Sequence, residues 1–466
     1  MRCLALAEVL AEEGWTVTFA GTQETAQTVS ALRRSGHNFV SLSDGNDPAV
    51  MWKAISSSCD LLVIDHYGLD AVYETACRSF ARRILVIDDL ANRNHDCDLL
   101  LDPTLGRDIK AYRDRLPASA RIVTGPLYAL LHSSFAAARS EERNPRNAVR
   151  RILLSMGATD ASGRTIPMFK ALSCLHVGVD VVVGSSARDI AEIRSTVEQF
   201  GGRIHVDTPD MAQLMADADI AVLAAGTTTW EAACLGLGIV LIITADNQIE
   251  VAHSMENAGG AILAESVDDA VRAVSRLIAD RDARSALSRA ASCVCDGLGA
   301  RRIAILIDPE RDAEGRAVTL RPATLDDADL ILAWQQHPDT RRFARNPAVP
   351  ARAEHEAWLA QKLADSNSLL QIVMCDDTPA GLIRLDCAQA AAGREVSILT
   401  APEQYNRGIG FAALRLARRL VSLSPIRAFV LPGNEPSLRL FEKAGYKPAG
   451  GDWLVQEPVS KMAMTA

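Results

Sequence analysis

From Trp15 to about Thr104 the chain alternates short apolar runs, at Thr16–Ala20, Phe39–Leu42, Leu61–Asp65, Ile84–Asp88 and Leu99–Leu101, with stretches of helical periodicity. Short apolar runs bounded by amphipathic segments predict the buried strands of a parallel, doubly wound sheet with helices on both faces. A second series follows the charged stretch Glu141–Arg150, with strands predicted at Ile152–Ser155, Val179–Val183, Ile204–Val206, Ile220–Ala224 and Ile239–Ile243. The pattern changes again beyond Asp308–Gly315, a charged, glycine-bearing segment that reads as a linker. A strand at Leu320, helices over Asp326–Gln336 and Glu354–Leu363, and antiparallel-looking strands at Leu370–Cys375, Ala380–Asp386 and Arg394–Thr400 follow it.

Three units result: residues 1–140 and 148–305 as two Rossmann-like α/β domains, and 316–460 as a third α/β domain. Two doubly wound domains in tandem face each other across a cleft, and their ligands bind beyond the carboxyl ends of the strands. The amino terminus departs from the pattern. Cys3, Leu6 and Leu10 have helical spacing and Gly14 is a natural stop, so Met1–Glu13 reads as the helix that should follow a first strand. That strand and its loop are expected in a longer form of the chain, with roughly 15 to 25 more residues, because losing a central strand would expose the edges of its neighbours.

Composition adds exclusions. With 466 residues, 48% hydrophobic, 23% charged and 5% aromatic, a packed globular protein of several domains is expected. A net charge of -9 provides no broad basic field, so nucleic acid is not an expected partner. The sequence has no run of 18 apolar residues, and Glu8, Glu12 and Glu13 stand too early for a signal peptide; no membrane association is expected and the cytoplasm is. The ten cysteines (Cys3, Cys59, Cys77, Cys97, Cys174, Cys234, Cys293, Cys295, Cys375, Cys387) form no C-x-x-C pair and no metal-like spacing. They are expected as reduced thiols, the close pair Cys293 and Cys295 included, and no metal is expected.

Candidate chemistry lies in the loops after strands. Met156-Gly157-Ala158-Thr159-Asp160 is a small-residue turn into a helix, where Gly157, Thr159 and Asp160 would face a phosphate. A stronger signal is Gly226-Thr227-Thr228-Thr229-Trp230-Glu231, in which a buried strand runs into Gly and three hydroxyl residues at a helix start. Free amides at a positive helix end suit a diphosphate. Glu231, one turn further, would accept both ribose hydroxyls of a nucleotide; equally, Thr228 or Thr229 would be an N-cap with Glu231 as its capping partner. Asp65-His66-Tyr67 and Asp88-Asp89 put polar groups at strand ends. Asn247-Gln248 would either cap the next helix or bind sugar hydroxyl or acetamido groups.

In order, DHYGLD (Asp65–Asp70), VIDDLANRNHDCDLLLDPT (Val86–Thr104), SMGATD (Ser155–Asp160), MADADIAVLAAGTTTWE (Met215–Glu231) and ADNQ (Ala245–Gln248) resemble the UDP-sugar hydrolase of pseudaminic acid biosynthesis, over about 300 residues. The resemblance implies a glycosyltransferase-B-like fold and release of UDP from UDP-2,4-diacetamido-2,4,6-trideoxy-β-L-altropyranose by water attack. It places Glu231 on the uridine ribose, Gly226–Thr229 on the diphosphate, and Tyr67 and Asn247 at the sugar and the attacking water, with Asp65, His66 and Gln248 also in the UDP-sugar site. The family's general base is a His in a Gly-rich loop directly before the segment corresponding to Met1–Leu4. A positioned base contributes on the order of 10²–10⁴-fold, so an impaired hydrolase is expected from the sequence as it stands, with His66 the nearest alternative base. A glycosyltransferase sharing the diphosphate site, and a non-catalytic UDP-sugar-binding module, are the rival readings.

The third unit carries a second pattern. Gln404–Leu414 holds Arg407-Gly408-Ile409-Gly410 at the opening of a helical stretch, a cradle of successive amides for a pyrophosphate. After a strand at Arg427–Leu431 comes Asn434-Glu435-Pro436-Ser437, then Phe441-Glu442-Lys443-Ala444-Gly445-Tyr446. R-G-x-G combined with N-x-x-S-x-x-x-F-x-K-x-G-Y resembles the GNAT N-acetyltransferase superfamily over about 140 residues. The resemblance implies two splayed strands, acetyl-CoA as co-substrate with its pantetheine near Ile398, Leu399 and Thr400, its pyrophosphate on Arg407–Gly410, and Asn434 in the same site. Attack of a neutral amine on the thioester needs orientation, a base, and a proton for the thiolate. Phe441 stands where many members have a proton-donating Tyr, so the acid is another group or water. Candidate bases are Glu395 on the cofactor strand, or His337 and His355, each of which alone reads first as solvated surface. Linkage to the hydrolase-like half gives the acceptor as a 4-amino UDP-sugar, acetylated just before the hydrolytic step.

Overall fold

The computed structural model describes residues 1–139, 146–388 and 392–458; residues 141–145 of the charged stretch and 459–460 of the third predicted unit lie outside the described residues. It divides into two compact units, Met1–Ala300 and Arg301–Ala466.

In the second half of the first unit, β7 (Arg151–Ser155), β8 (Gly178–Val183), β9 (Arg203–Val206), β10 (Ile220–Ala224), β11 (Gly238–Ile242) and β12 (Ile262–Ala264) form one parallel sheet. Its order is β12-β11-β10-β7-β8-β9. Every residue of β10 and β11 is buried, because helices cover both faces and no solvated side exists for a polar residue to occupy. One face packs on Met215, Trp230 and Met255, the other on Met168, Phe169 and Leu172.

The first half holds β1 (Thr18–Gly21), β2 (Asn38–Ser41), β3 (Leu62–Ile64), β4 (Ile84–Ile87), β5 (Leu99–Asp102) and β6 (Arg121–Thr124). Here the one continuous sheet that the pattern predicts is replaced by two parallel sheets, β1-β2 and β3-β4-β5-β6. Burial follows the division: β4 and β5 are buried on both faces, whereas β1 and β2 carry only half-buried and exposed side chains. The amino-terminal helix, Arg2–Glu12, ends where the spacing predicts, at Gly14 with φ +91°, and buries Leu4, Leu6, Val9 and Leu10.

The second unit is built on an eight-stranded sheet: β13 (Glu310–Arg311), β14 (Ala317–Pro322), β15 (Ser368–Cys375), β16 (Thr378–Cys387), β17 (Arg394–Thr400), β18 (Ile426–Phe429), β19 (Lys447–Pro448) and β20 (Trp453–Gln456). Its order is β13-β14-β15-β16-β17-β18-β20-β19, antiparallel except for β17 and β18. The segment read as a linker is a hairpin instead. Glu310–Arg311 pairs with Val318 and Ala317, and the Asp312 carboxylate accepts the Glu314 and Arg316 amides to close the turn. β17 and β18 pair only at Arg394↔Ile426 and Glu395↔Arg427, after which Val396–Thr400 runs without a partner on β18. β16 follows the other edge of β17 closely, with Gly381 opposite Thr400, where a Cβ would stand 2.5 Å from the Leu399 carbonyl oxygen.

Candidate functional sites

The helix Thr227–Cys234 begins directly after β10. Its N-cap is Gly226, extended at φ -120° and ψ -154°, with no side-chain cap. The reading of Thr228 or Thr229 as N-cap with Glu231 as its partner is therefore corrected, and the hydroxyls of Thr227 and Thr228 are not used as caps. The Thr229 hydroxyl is fully buried and has no hydrogen-bond partner. Glu231 is half-buried, and burial pushes its carboxyl up to about 7 despite the opposing pull of the chain's amino terminus and His132. A desolvated carboxylate gains most from neutral donors brought to it, which is what a pair of ribose hydroxyls offers.

Asp65 and Asp89, beyond the ends of β3 and β4, are gripped by one side chain that the sequence did not single out. Arg2 donates from Nε and Nη2 to the Asp65 carboxylate at 2.9 and 2.6 Å, and from Nη1 to Asp89 at 2.9 Å. Burial opposes both charges, but the pairing outweighs it, holding the Asp65 carboxyl below its ordinary value and the Arg2 guanidinium above its own. The Tyr67 hydroxyl donates to Asp89 at 3.5 Å and accepts from Asn247 Nδ2 at 3.4 Å, so the two predicted residues meet across the two Rossmann-like domains. Burial and then the Asp89 charge raise the Tyr67 phenol. Arg107, also missed, bonds the Asp102 carboxylate, the Asp89 carbonyl at 2.8 Å and Glu250 at 2.8 Å, tying the same loops together.

Other predicted residues are engaged in shaping loops. The Asp160 carboxylate accepts the amides of Arg164 and Thr165 at 3.1 and 3.2 Å, at the start of the helix Thr165–Ser173. Gly157, at φ +93°, makes the preceding turn, and the Thr159 carbonyl accepts the Arg188 amide at 2.8 Å. His66 Nδ1 accepts from the Gly68 amide at 3.1 Å, so the ring turns onto its own loop and is not set up as a base. Gln248 Oε1 accepts from the amide and hydroxyl of Thr244 at 2.8 and 3.0 Å. Asp88 belongs to a buried network with Arg93, Tyr112 and His95, the last paired to Glu74 at 2.7 Å.

In the second unit, Ile398, Leu399 and Thr400 bond β16 on one side and face the splay on the other. Gly408 is the left-handed N-cap (φ +82°) of the helix Ile409–Leu420; Gly410 packs under Leu440 and Thr400, where an added Cβ would stand 3.2 Å from the Leu440 side chain and 3.4 Å from the Thr400 hydroxyl. The Arg407 carbonyl accepts the Ala313 amide at 2.9 Å, fixing the loop to the hairpin turn, while its side chain is exposed. Asn434 caps the helix Glu435–Lys443 through the Ser437 amide at 3.2 Å, a structural use not foreseen. Glu395 is bound to Arg345 at 2.7 Å and is not a free base. His355 is buried rather than solvated, its Nε2 3.0 Å from the Ala328 carbonyl, and burial lowers its pKa. His337 lines a cavity of about 670 Å³ with Trp334, Asp339, Glu403 and Tyr405. Phe441 is buried edge-on to Tyr446, 5.0 Å between ring centres. None of the ten cysteines is joined in a disulfide, no group of three or more metal-ligating side chains occurs among the described residues, and no described helix is long and apolar enough to cross a membrane.

Residues 317–447 match the acetyltransferase (GNAT) domain family. An uncharacterised protein of Methanocaldococcus jannaschii is 21% identical over 472 residues, covering 96% of this chain and 93% of its own. The spore coat polysaccharide biosynthesis protein SpsG of Bacillus subtilis is 27% identical over 54% of this chain and 77% of its own. The UDP-2,4-diacetamido-2,4,6-trideoxy-β-L-altropyranose hydrolase of Campylobacter jejuni is 23% identical over 43% of this chain and 72% of its own. The chain thus joins a module similar to sugar-biosynthesis proteins, a hydrolase among them, to a GNAT acetyltransferase domain.

Proposed function

We propose that the chain performs two consecutive steps on one nucleotide sugar: acetyl-CoA-dependent N-acetylation of a 4-amino UDP-sugar, then hydrolysis of the UDP-2,4-diacetamido-2,4,6-trideoxy-β-L-altropyranose so formed. The observation that carries the transferase half is the parting of β17 from β18 beyond Glu395, which leaves one strand edge open beside the helix start at Gly408. The pantetheine amides pair with that edge at Ile398–Thr400, and the pyrophosphate lies on Arg407 and the amides that follow. In the first unit, Glu231 receives the ribose hydroxyls and the amides of Thr227 and Thr228 take the diphosphate, whose charge grows as UDP leaves, while the Thr229 amide closes the first turn onto the Gly226 carbonyl at 2.9 Å. Tyr67 and Asn247, joined at 3.4 Å, hold the sugar between the two domains.

One observation favours a second reading. Arg2 occupies both Asp65 and Asp89, and the Tyr67 phenol is held protonated, so these groups are not poised to activate water. On that reading the first unit binds and presents the UDP-sugar without cleaving it. Incubation with the diacetamido UDP-sugar in ¹⁸O-water separates the readings. Hydrolysis at the anomeric carbon puts the label on the free sugar and none in UDP; binding without UDP release supports the second reading; transfer to another sugar refutes both.

A further inference from the structure

The candidate base Glu395 is held by a cation, and a fixed cation at the acyl-transfer end of the splay works against an amine acceptor, which arrives as an ammonium ion. Arg345 lies between the helices Pro338–Arg341 and Arg352–Leu363. Arg341 pins that segment, donating to the carbonyls of Gln335 and Asn346, both at 2.9 Å. The Arg345 guanidinium stands 4.5 Å from the centre of the Phe429 ring, 5.8 Å from that of Trp453, and 2.7 Å from Glu395. Phe429 and Trp453 are register partners on β18 and β20 and meet edge to face at 5.2 Å. Glu395 is the last residue of β17 paired to β18 before the strands part. The cluster therefore marks the closed end of the splay, and the Arg345 side chain is still 55% exposed.

Two further charged residues stand in register with Glu395. Asp386, register partner of Glu395 on β16, is held by Lys362 at 3.0 Å, Arg384 at 2.8 Å and Ser368 at 2.7 Å. Arg427 is the register partner on β18. Glu395 is thus the carboxylate whose cation sits on a loop, stacked on aromatic faces that hold a guanidinium plane without consuming its N–H groups. A planar guanidinium matches the paired oxygens of a phosphate.

We propose, resting on the acetyltransferase reading above, that Arg345 selects amine acceptors carrying a phosphate or diphosphate, and that its move from Glu395 to that anion releases Glu395 for the amine. The ammonium nitrogen gives one proton to the Glu395 carboxylate, which passes it to water. The nitrogen lone pair then forms the C–N bond at the thioester carbonyl, the C–S bond breaks with its electron pair on sulfur, and the second nitrogen proton goes to the thiolate. Arg345 is a specificity-determining residue in this scheme, and Glu395 the catalytic one.

The test uses the full chain, acetyl-CoA, and two acceptors, the 4-amino UDP-sugar and the same amino sugar without the nucleotide, with thiol release as the readout. R345Q is expected to lower kcat/KM for the nucleotide-linked acceptor at least tenfold, chiefly through KM, and to reduce the preference over the free amino sugar by the same factor. R345K restores part of that preference, and E395Q lowers kcat while leaving KM nearly in place. If R345Q slows both acceptors alike, Arg345 only packs its loop and the proposal is overturned. Equal use of both acceptors by the unaltered chain overturns the proposal and leaves the acetyltransferase reading standing; thiol release with neither acceptor overturns both.

Discussion

Replacing Glu231 by Gln removes a charge and keeps the shape, which isolates what the desolvated carboxyl contributes. Burial lifts this carboxyl from 4.5 to about 7, and at about 1.4 kcal/mol per unit the charged form is disfavoured by roughly 3 kcal/mol. The folded pKa lies above the unfolded one, so the folded chain holds the extra proton between these values. Stability from this group is full below pH 4.5 and is lost as pH rises through about 7. E231Q should therefore be the more stable form at pH 8 without ligand. Ligand binding has the opposite sign, because ribose hydroxyls donate to the carboxylate and favour its ionised form. UDP affinity of the unaltered chain should fall about tenfold per pH unit below 7 and level off above 8, with close to one proton released per UDP bound at pH 6. Phosphate ionisation near pH 6 contributes its own slope, but equally in E231Q, which serves as the internal control. Titration calorimetry in buffers of different ionisation enthalpy measures both affinity and protons released. Identical pH slopes and proton counts for the two forms would refute the assignment of Glu231 to the ribose.

Three further perturbations follow from the packing. His95 lies buried between Glu74 and Asp88, and although burial alone would lower it, the two carboxylates raise it to about 9. Its stabilisation is full below pH 6.5 and is lost as pH rises through about 9, so H95L should melt lower by roughly 3–5 kcal/mol at pH 6, with the gap narrowing by pH 10, by thermal denaturation. G381A places a Cβ 2.5 Å from the Leu399 carbonyl oxygen, so β16 and β17 must separate. A loss of about 1–3 kcal/mol and of the thermal shift given by acetyl-CoA are expected. R407A removes an exposed cation from the pyrophosphate loop and should raise KM for acetyl-CoA about tenfold with kcat nearly unchanged, read by thiol release.

The elements legible in the sequence are those set by local periodicity. β10 and β17 coincide with their predicted spans, and the amino-terminal helix ends at Gly14, because buried strands and a helix stop are written into consecutive residues. β6, β12, β19 and β20 were missed, being short and set by pairing with distant strands. The hairpin at Glu310–Arg311 read as a linker because charge and glycine mark a turn as readily as a tether. For the candidate sites, motifs single out Glu231, Tyr67, Asn247 and the Arg407–Gly410 loop, but local spacing does not show which side chains are engaged by others. Arg2 meets partners 63 and 87 residues away, and Glu395 meets Arg345 across the fold; no local spacing encodes either pair. Asp160 is a similar case, since its carboxylate accepts two helix-start amides four and five positions on, outside the two- or three-residue spacing of an N-cap that a sequence displays.

The central claim is that one chain acetylates a 4-amino UDP-sugar and then releases UDP from the product. The most direct measurement incubates the full chain with acetyl-CoA and that sugar and follows thiol and UDP separately in time. The account predicts thiol release first, followed by UDP in equal amount, and no UDP when acetyl-CoA is withheld. UDP release independent of acetyl-CoA, or no thiol release at all, would contradict it.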